Sequence, residues 1–208
     1  QDELQRVLPA IQSFNEKKSD KTLISIDTSK PEIAKAAITN GAQIINDVTG
    51  FTDPRMREIA ANSDCGLVVM HMAGNPQSMQ EKPCYSNVVE EIIEFFANQL
   101  KICEDDGIEK ERIVLDPGIG FGKTIEHNLE LLKSINNLLS LERPILIGAS
   151  RKSFISKILE RDDLEAREWP TVALTSYCRE LGASIFRVHS SLDNLQALRM
   201  TEAIINSD

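Results

Sequence analysis

Arg112-Ile113-Val114-Leu115 runs directly into Asp116-Pro117-Gly118-Ile119-Gly120-Phe121-Gly122-Lys123, so an acid and a glycine-rich loop stand where a buried strand would emerge into solvent. Three glycines within five residues let the backbone approach a ligand closely, the carboxylate can accept from ring N–H groups, and Lys123 ends the loop with a cation. The loop is not a phosphate loop, because Gly-x-x-x-x-Gly-Lys would require glycine at Pro117. Nor is it a dinucleotide loop, because its glycines are spaced two and two. Two later apolar runs end in the same manner, one on Ser150-Arg151-Lys152-Ser153 and one on Arg187-Val188-His189.

Working outward, short apolar runs recur at 23–26, 43–45, 67–70, 113–115, 144–147 and 184–188. Each is nearly continuous, as expected for strands covered on both faces. Helical patterns lie between them: Val89, Ile92, Ile93, Phe96 and Leu100 up to Gly107, and Leu129, Leu132, Ile135 and Leu139. Pro31 suits a first helical turn and Gly41 the end of the same helix, whereas Pro9 predicts a break in the opening helix. Strands alternating with helices imply a parallel sheet. An open sheet gathers its ligand groups at one switch point, while a barrel draws them from the carboxyl ends of many strands. Here Asp27, Asn46, His71, Asp116, Lys152 and the Arg187/His189 pair all lie at or just beyond an apolar run. The fold expected is therefore a (β/α)8 TIM barrel, of which about six βα units are counted. The missing pieces are expected to precede Gln1.

At 208 residues, 41% hydrophobic and 26% charged, the chain can bury a full core and reads as a single domain over 1–208. A net charge of -9 argues against a broad nucleic-acid surface, so an anionic ligand must be held by a local cationic pocket. Cys65, Cys84, Cys103 and Cys178 show no paired spacing, and no signal peptide or long apolar span is seen. A cytoplasmic location, with no membrane partner, is the expectation.

Together, Ile24-Ser25-Ile26-Asp27-Thr28, Ile44-Ile45-Asn46-Asp47-Val48, Met70-His71-Met72, 116–123, 150–155 and Arg187-Val188-His189 resemble the dihydropteroate synthase family. The resemblance implies condensation of hydroxymethyl-dihydropterin pyrophosphate with p-aminobenzoate, giving dihydropteroate and pyrophosphate in folate biosynthesis. It also implies magnesium as cofactor, sulfonamides as inhibitors and a homodimer. By the same resemblance the family's first two strands, including a magnesium-binding asparagine, are absent. No residue of this chain is then expected to ligate the metal, and the fragment alone is expected to be inactive. Alternatives are a methyltetrahydrofolate-type pterin-binding methyltransferase, which would not need the Ser-Arg-Lys-Ser run or the Arg187/His189 pair, and a non-catalytic pterin-binding barrel.

The residue types fit that chemistry. A pterin edge alternates donors and acceptors, so Asp27, Asn46 and Asp116 suit it. Each has a plainer reading, Asp27 as a helix cap, Asn46 as a turn residue before Gly50, and Asp116 as a cap or turn residue before Pro117. Met70 packs in a core or on the pterin face. Resemblance places Lys152 between both ring systems, Phe121 and Ser153 near p-aminobenzoate, and Gly148 among the substrate contacts. Arg187 and His189 would take the pyrophosphate. Asp27, Asp116, Lys152, Arg187 and His189 are the expected catalytic set. Arg151 reads as a structural ion-pair former and Trp169 as a helix anchor. Ser190 stands where the family usually has aspartate, and Pro170 where glycine is commoner.

Overall fold

The computed structural model describes residues 2–74 and 83–207. They divide into two compact units, the first of 1–71 with 96–115 and the second of 72–95 with 116–208.

The first unit opens on α1 (Asp2–Lys17), which passes through Pro9 unbroken. The expected break fails because Pro9 removes only the hydrogen bond to the carbonyl of Gln5, and Gln5 is exposed, where water can take its place. Next come β1 (Ser25–Asp27), α2 (Pro31–Thr39), β2 (Ile44–Asp47), α3 (Pro54–Ala61) and β3 (Gly66–Met70). Pro31 and Pro54 occupy the first turns of their helices, where no donor is lost. Asp53 caps α3 by accepting from the Arg55 N–H at 2.9 Å. After Gly41, at φ 102°, the Ala42 N–H reaches back to the Ala37 carbonyl and closes α2.

α4 (Val88–Asp105) divides its residues between the units, and β4 (Ile113–Asp116) follows it. Gly107, at φ 82°, ends α4 as its position predicted, with the Ile108 N–H on the Cys103 carbonyl at 2.9 Å. The sheet order is β1-β2-β3-β4, with β1–β2 and β2–β3 parallel.

The second unit continues with α5 (Ile125–Lys133), α6 (Ile135–Leu138), β5 (Leu146–Ile147), α7 (Ser153–Leu159), α8 (Glu168–Glu180), β6 (Ile185–Phe186) and α9 (Ser191–Ile205). β5 and β6 pair in parallel. Thr124 and His127 form a reciprocal capping box at the start of α5.

Three further expectations need correction. The stripe Leu129, Leu132, Ile135, Leu139 assumed one helix, but the chain breaks at Ser134; Leu131, Leu132, Ile135 and Leu138 are buried, and Leu129 and Leu139 are exposed. Coverage on both faces holds for β3 but not for β1 or β6, where Ser25, Asp27 and Ile185 are exposed. Among the described residues each of these strands has one bonded neighbour, so less of it is covered. Trp169, the expected anchor, is 76% exposed at the second position of α8 and holds nothing down. Pro170 falls in the first turn of that helix and is tolerated there.

Candidate active site

In the first unit Asp27 and Asn46 are direct partners across β1 and β2 at the carboxyl ends of both strands. The Thr28 N–H donates to the Asn46 carbonyl at 3.0 Å, and Asn46 is buried. Capping of α2 does not involve Asp27, since the cap position is Lys30. The turn role considered for Asn46 belongs to its neighbour Asp47. One oxygen of Asp47 accepts from the Thr49 N–H and hydroxyl at 2.8 and 2.7 Å, and the other accepts from the Phe51 N–H at 2.9 Å. Burial raises the Asp47 pKa, these hydrogen bonds oppose the rise, and the charge of Asp27 adds to it. Met70 is fully buried at the end of β3.

In the second unit the glycine loop, the 150–153 run and Arg187, just beyond β6, come together. Asp116 is fully buried, with one oxygen accepting the Gly118 N–H at 2.8 Å and the other accepting from Arg187 Nη2 at 2.8 Å. The turn reading of Asp116 thus uses one oxygen only, and the second faces the arginine. Gly148 lies beneath that guanidinium: a Cβ there would stand 2.7 Å from Nη2 and 3.1 Å from Cζ of Arg187. The Lys152 ammonium sits 3.7 Å from the ring centroid of Phe121, a cation–π contact. Its stem passes Gly120, where a Cβ would meet Lys152 Cδ at 2.9 Å. Ser153 is the first residue of α7 and helps line a cavity of about 300 Å³ with Gly120, Lys123, Asn128 and Lys157. A larger hollow of about 500 Å³ lies between α2 and α3 and touches none of the expected site residues.

His189 is held by Ser150, whose hydroxyl lies 2.8 Å from Nδ1 and accepts the His189 backbone N–H at 3.2 Å. No sequence signal joins two residues so far apart in the chain. Arg151 is ion-paired to Glu168, as a structural arginine should be. It also takes the left-handed conformation, φ 56°, with its N–H on Thr171 Oγ1 and its carbonyl accepting from Arg167. Lys123, read from sequence only as a terminal cation, is 4% exposed; burial lowers its pKa to about 7, with Asp116 resisting the drop and Lys152 adding to it. Among the described residues no group of three or more His, Cys, Asp or Glu is placed to hold a metal ion, and no helix is long and apolar enough to cross a membrane.

This arrangement has counterparts. The family model described as "Pterin binding enzyme" matches residues 1–189 and so runs through both units. The dihydropteroate synthase of Escherichia coli (strain K12) is 38% identical over 207 residues, which are 100% of this chain and 72% of that protein. The crystal structure of dihydropteroate synthase from Thermus thermophilus in complex with 6HMPPP superposes with a TM-score of 0.92 at 35% identity, covering 99% of this chain and 80% of that one. That of Yersinia pestis in complex with a sulfonamide drug superposes with a TM-score of 0.94 at 33% identity, covering 98% and 73%. These neighbours are TIM barrels, and this chain shares their fold class, with six strands among its described residues. By family match, identity and fold together, the chain belongs to the pterin-binding enzymes, among the dihydropteroate synthases.

Proposed function

We propose that the protein joins the methylene carbon of a hydroxymethyl-dihydropterin pyrophosphate to the amino group of p-aminobenzoate, using the cluster around Asp116. The observation that carries this is a fully buried carboxylate and a guanidinium bonded to each other over Gly148. An acid that accepts ring N–H groups and a cation that attracts pyrophosphate are what the two halves of such a substrate require. In the first unit, Asp27 and Asn46 are assigned to the pterin edge and Met70 to its face, by residue type and their place at strand ends. Lys152, Phe121 and Ser153 are assigned to the p-aminobenzoate side.

The carbon–oxygen bond to pyrophosphate breaks as a carbon–nitrogen bond forms, so negative charge gathers on the leaving group. Arg187 and His189 stabilise that charge, and Asp116 and Asp27 favour the electron-poor pterin. No covalent enzyme intermediate is needed; holding two substrates in line supplies much of the acceleration. The amine's proton passes to the departing pyrophosphate or to solvent. Magnesium would bind chiefly through phosphate oxygens. The described residues do not form a cage for it, since no three acidic, histidine or cysteine side chains gather among them, and no step here runs through the ion. Sulfonamides would compete with p-aminobenzoate.

Incubating the full-length protein with both substrates and measuring dihydropteroate tests the assignment. Pterin binding without product would mean a non-catalytic binder, and methyl transfer would mean the alternative enzyme. Free cysteines, three of them buried, accord with a reducing cytoplasm. A homodimer is supported by apolar residues left exposed on α8 and α9: Trp169, Tyr177, Leu192, Met200 and Ile204. Sedimentation should give a dimer, and Met200→Glu with Ile204→Glu should shift it to monomer; an unchanged dimer would place the contact elsewhere.

A further inference from the structure

Lys123 is a buried lysine that the chemistry above does not use. Gly118, Gly120 and Gly122 all take positive φ, 67°, 81° and 59°, which only glycine adopts without strain. The carbonyls of Gly118 and Phe121 converge on Lys123 Nζ, at 3.1 and 3.0 Å. The Gly118 carbonyl also accepts the Phe121 N–H at 3.0 Å. From outside, Asn128 Oδ1 accepts the Gly120 N–H at 2.6 Å, and the Tyr85 hydroxyl donates to the Gly122 carbonyl at 3.0 Å. The loop is thus held on its rim by Asn128 and Tyr85 and at its centre by one amine.

Burying that amine is unfavourable unless its hydrogen bonds are made. A site needing only volume would be filled by leucine or methionine. The lowered pKa does not undo the arrangement, because a neutral amine keeps two N–H groups, one for each carbonyl. What the loop carries is Phe121 at its turn, with Lys152 over the ring and the Lys152 stem against Gly120. A loop relaxed at its centre would move ring and ammonium together.

We propose that Lys123 is a positioning residue for the aromatic-amine substrate: it braces the 118–122 loop from within, so that Phe121 and Lys152 stay in the geometry that receives p-aminobenzoate. This rests on the reading that assigns Phe121 and Lys152 to that substrate. Lys123→Met keeps the volume and removes the amine's donors. In the full-length enzyme it should raise KM for p-aminobenzoate by about tenfold or more, the factor that matches losing hydrogen bonds from a charged donor. KM for the pterin pyrophosphate should stay within about threefold, less than a single hydrogen bond is worth. A purely structural lysine would instead lower Tm and the active fraction, hence kcat, and leave both KM values alike. Should Lys123→Met not fold, Lys123→Gln, polar but too short to span both carbonyls, carries the same comparison. Phe121→Ala separates the two levels. If it raises KM for p-aminobenzoate and the Lys123 variants do not, the brace is wrong and the subsite stands; if Phe121→Ala leaves that KM unchanged, the subsite itself is misassigned.

Discussion

Asp116→Ala should weaken binding of an unphosphorylated pterin analogue by about 3 kcal/mol or more, the loss expected when two hydrogen bonds to one charged acceptor disappear together. The carboxylate is fully buried and already oriented, since the Gly118 N–H pins one oxygen and Arg187 the other. Each oxygen keeps a lone pair beyond the bond it now accepts, so a pterin presenting two N–H groups meets an oriented acceptor once the side chains covering it give way. The substitution also deprives Arg187 of this partner, but that side chain is 40% exposed, so water offsets much of the cost and the fold should survive. Asp116→Asn sharpens the comparison, because its amide oxygen can still accept from Gly118 while the charge is gone. Calorimetric titration of both variants measures the effect; unchanged affinity in Asp116→Ala would remove this residue from the pocket.

Arg187→Ala should cost the protein most of its pyrophosphate affinity, about a hundredfold for the loss of a charge-assisted, multidentate contact. A guanidinium has five N–H donors, so Arg187 can keep Nη2 on Asp116 while another of its N–H groups turns to an anion. Pterin affinity should fall less, because Asp116 retains its bond to Gly118 and its place. Equal losses for the two ligands would mean that the arginine acts only by supporting the carboxylate. His189 should matter less than Arg187, since Ser150 already occupies its Nδ1 and leaves Nε2 for the anion.

Much of this was legible in the chain. All six apolar runs became strands, because a continuous apolar stretch of that length has few other ways to be buried. The polar residues that follow them mark strand ends because a buried strand tolerates polar groups only where it stops. What stayed hidden depends on contacts that local pattern does not encode. Asn46 and Asp47 are neighbours of similar type, yet strand alternation sends their side chains in opposite directions, and only Asp47 builds the turn. Lys123 looks like any loop-ending cation until burial makes it an internal donor. Gly148 carries no chemical signal; its meaning is the arginine that lies where a side chain would be. The failures at Pro9, Ser134 and Trp169 arise likewise, from which face of a helix the rest of the protein covers.

Arg151 keeps the left-handed backbone at a cost of about 1 kcal/mol relative to the ordinary basin. Glu168, Thr171 and Arg167 restrain it, and its immediate neighbours are Ser150, which holds His189, and Lys152, which covers Phe121. A selection for heat resistance alone would find glycine at 151 attractive for its backbone, yet glycine discards the ion pair that fixes the bend between the two working side chains. The start of α8 is thus tied, through Glu168 and Thr171, to the bend that separates Ser150 from Lys152.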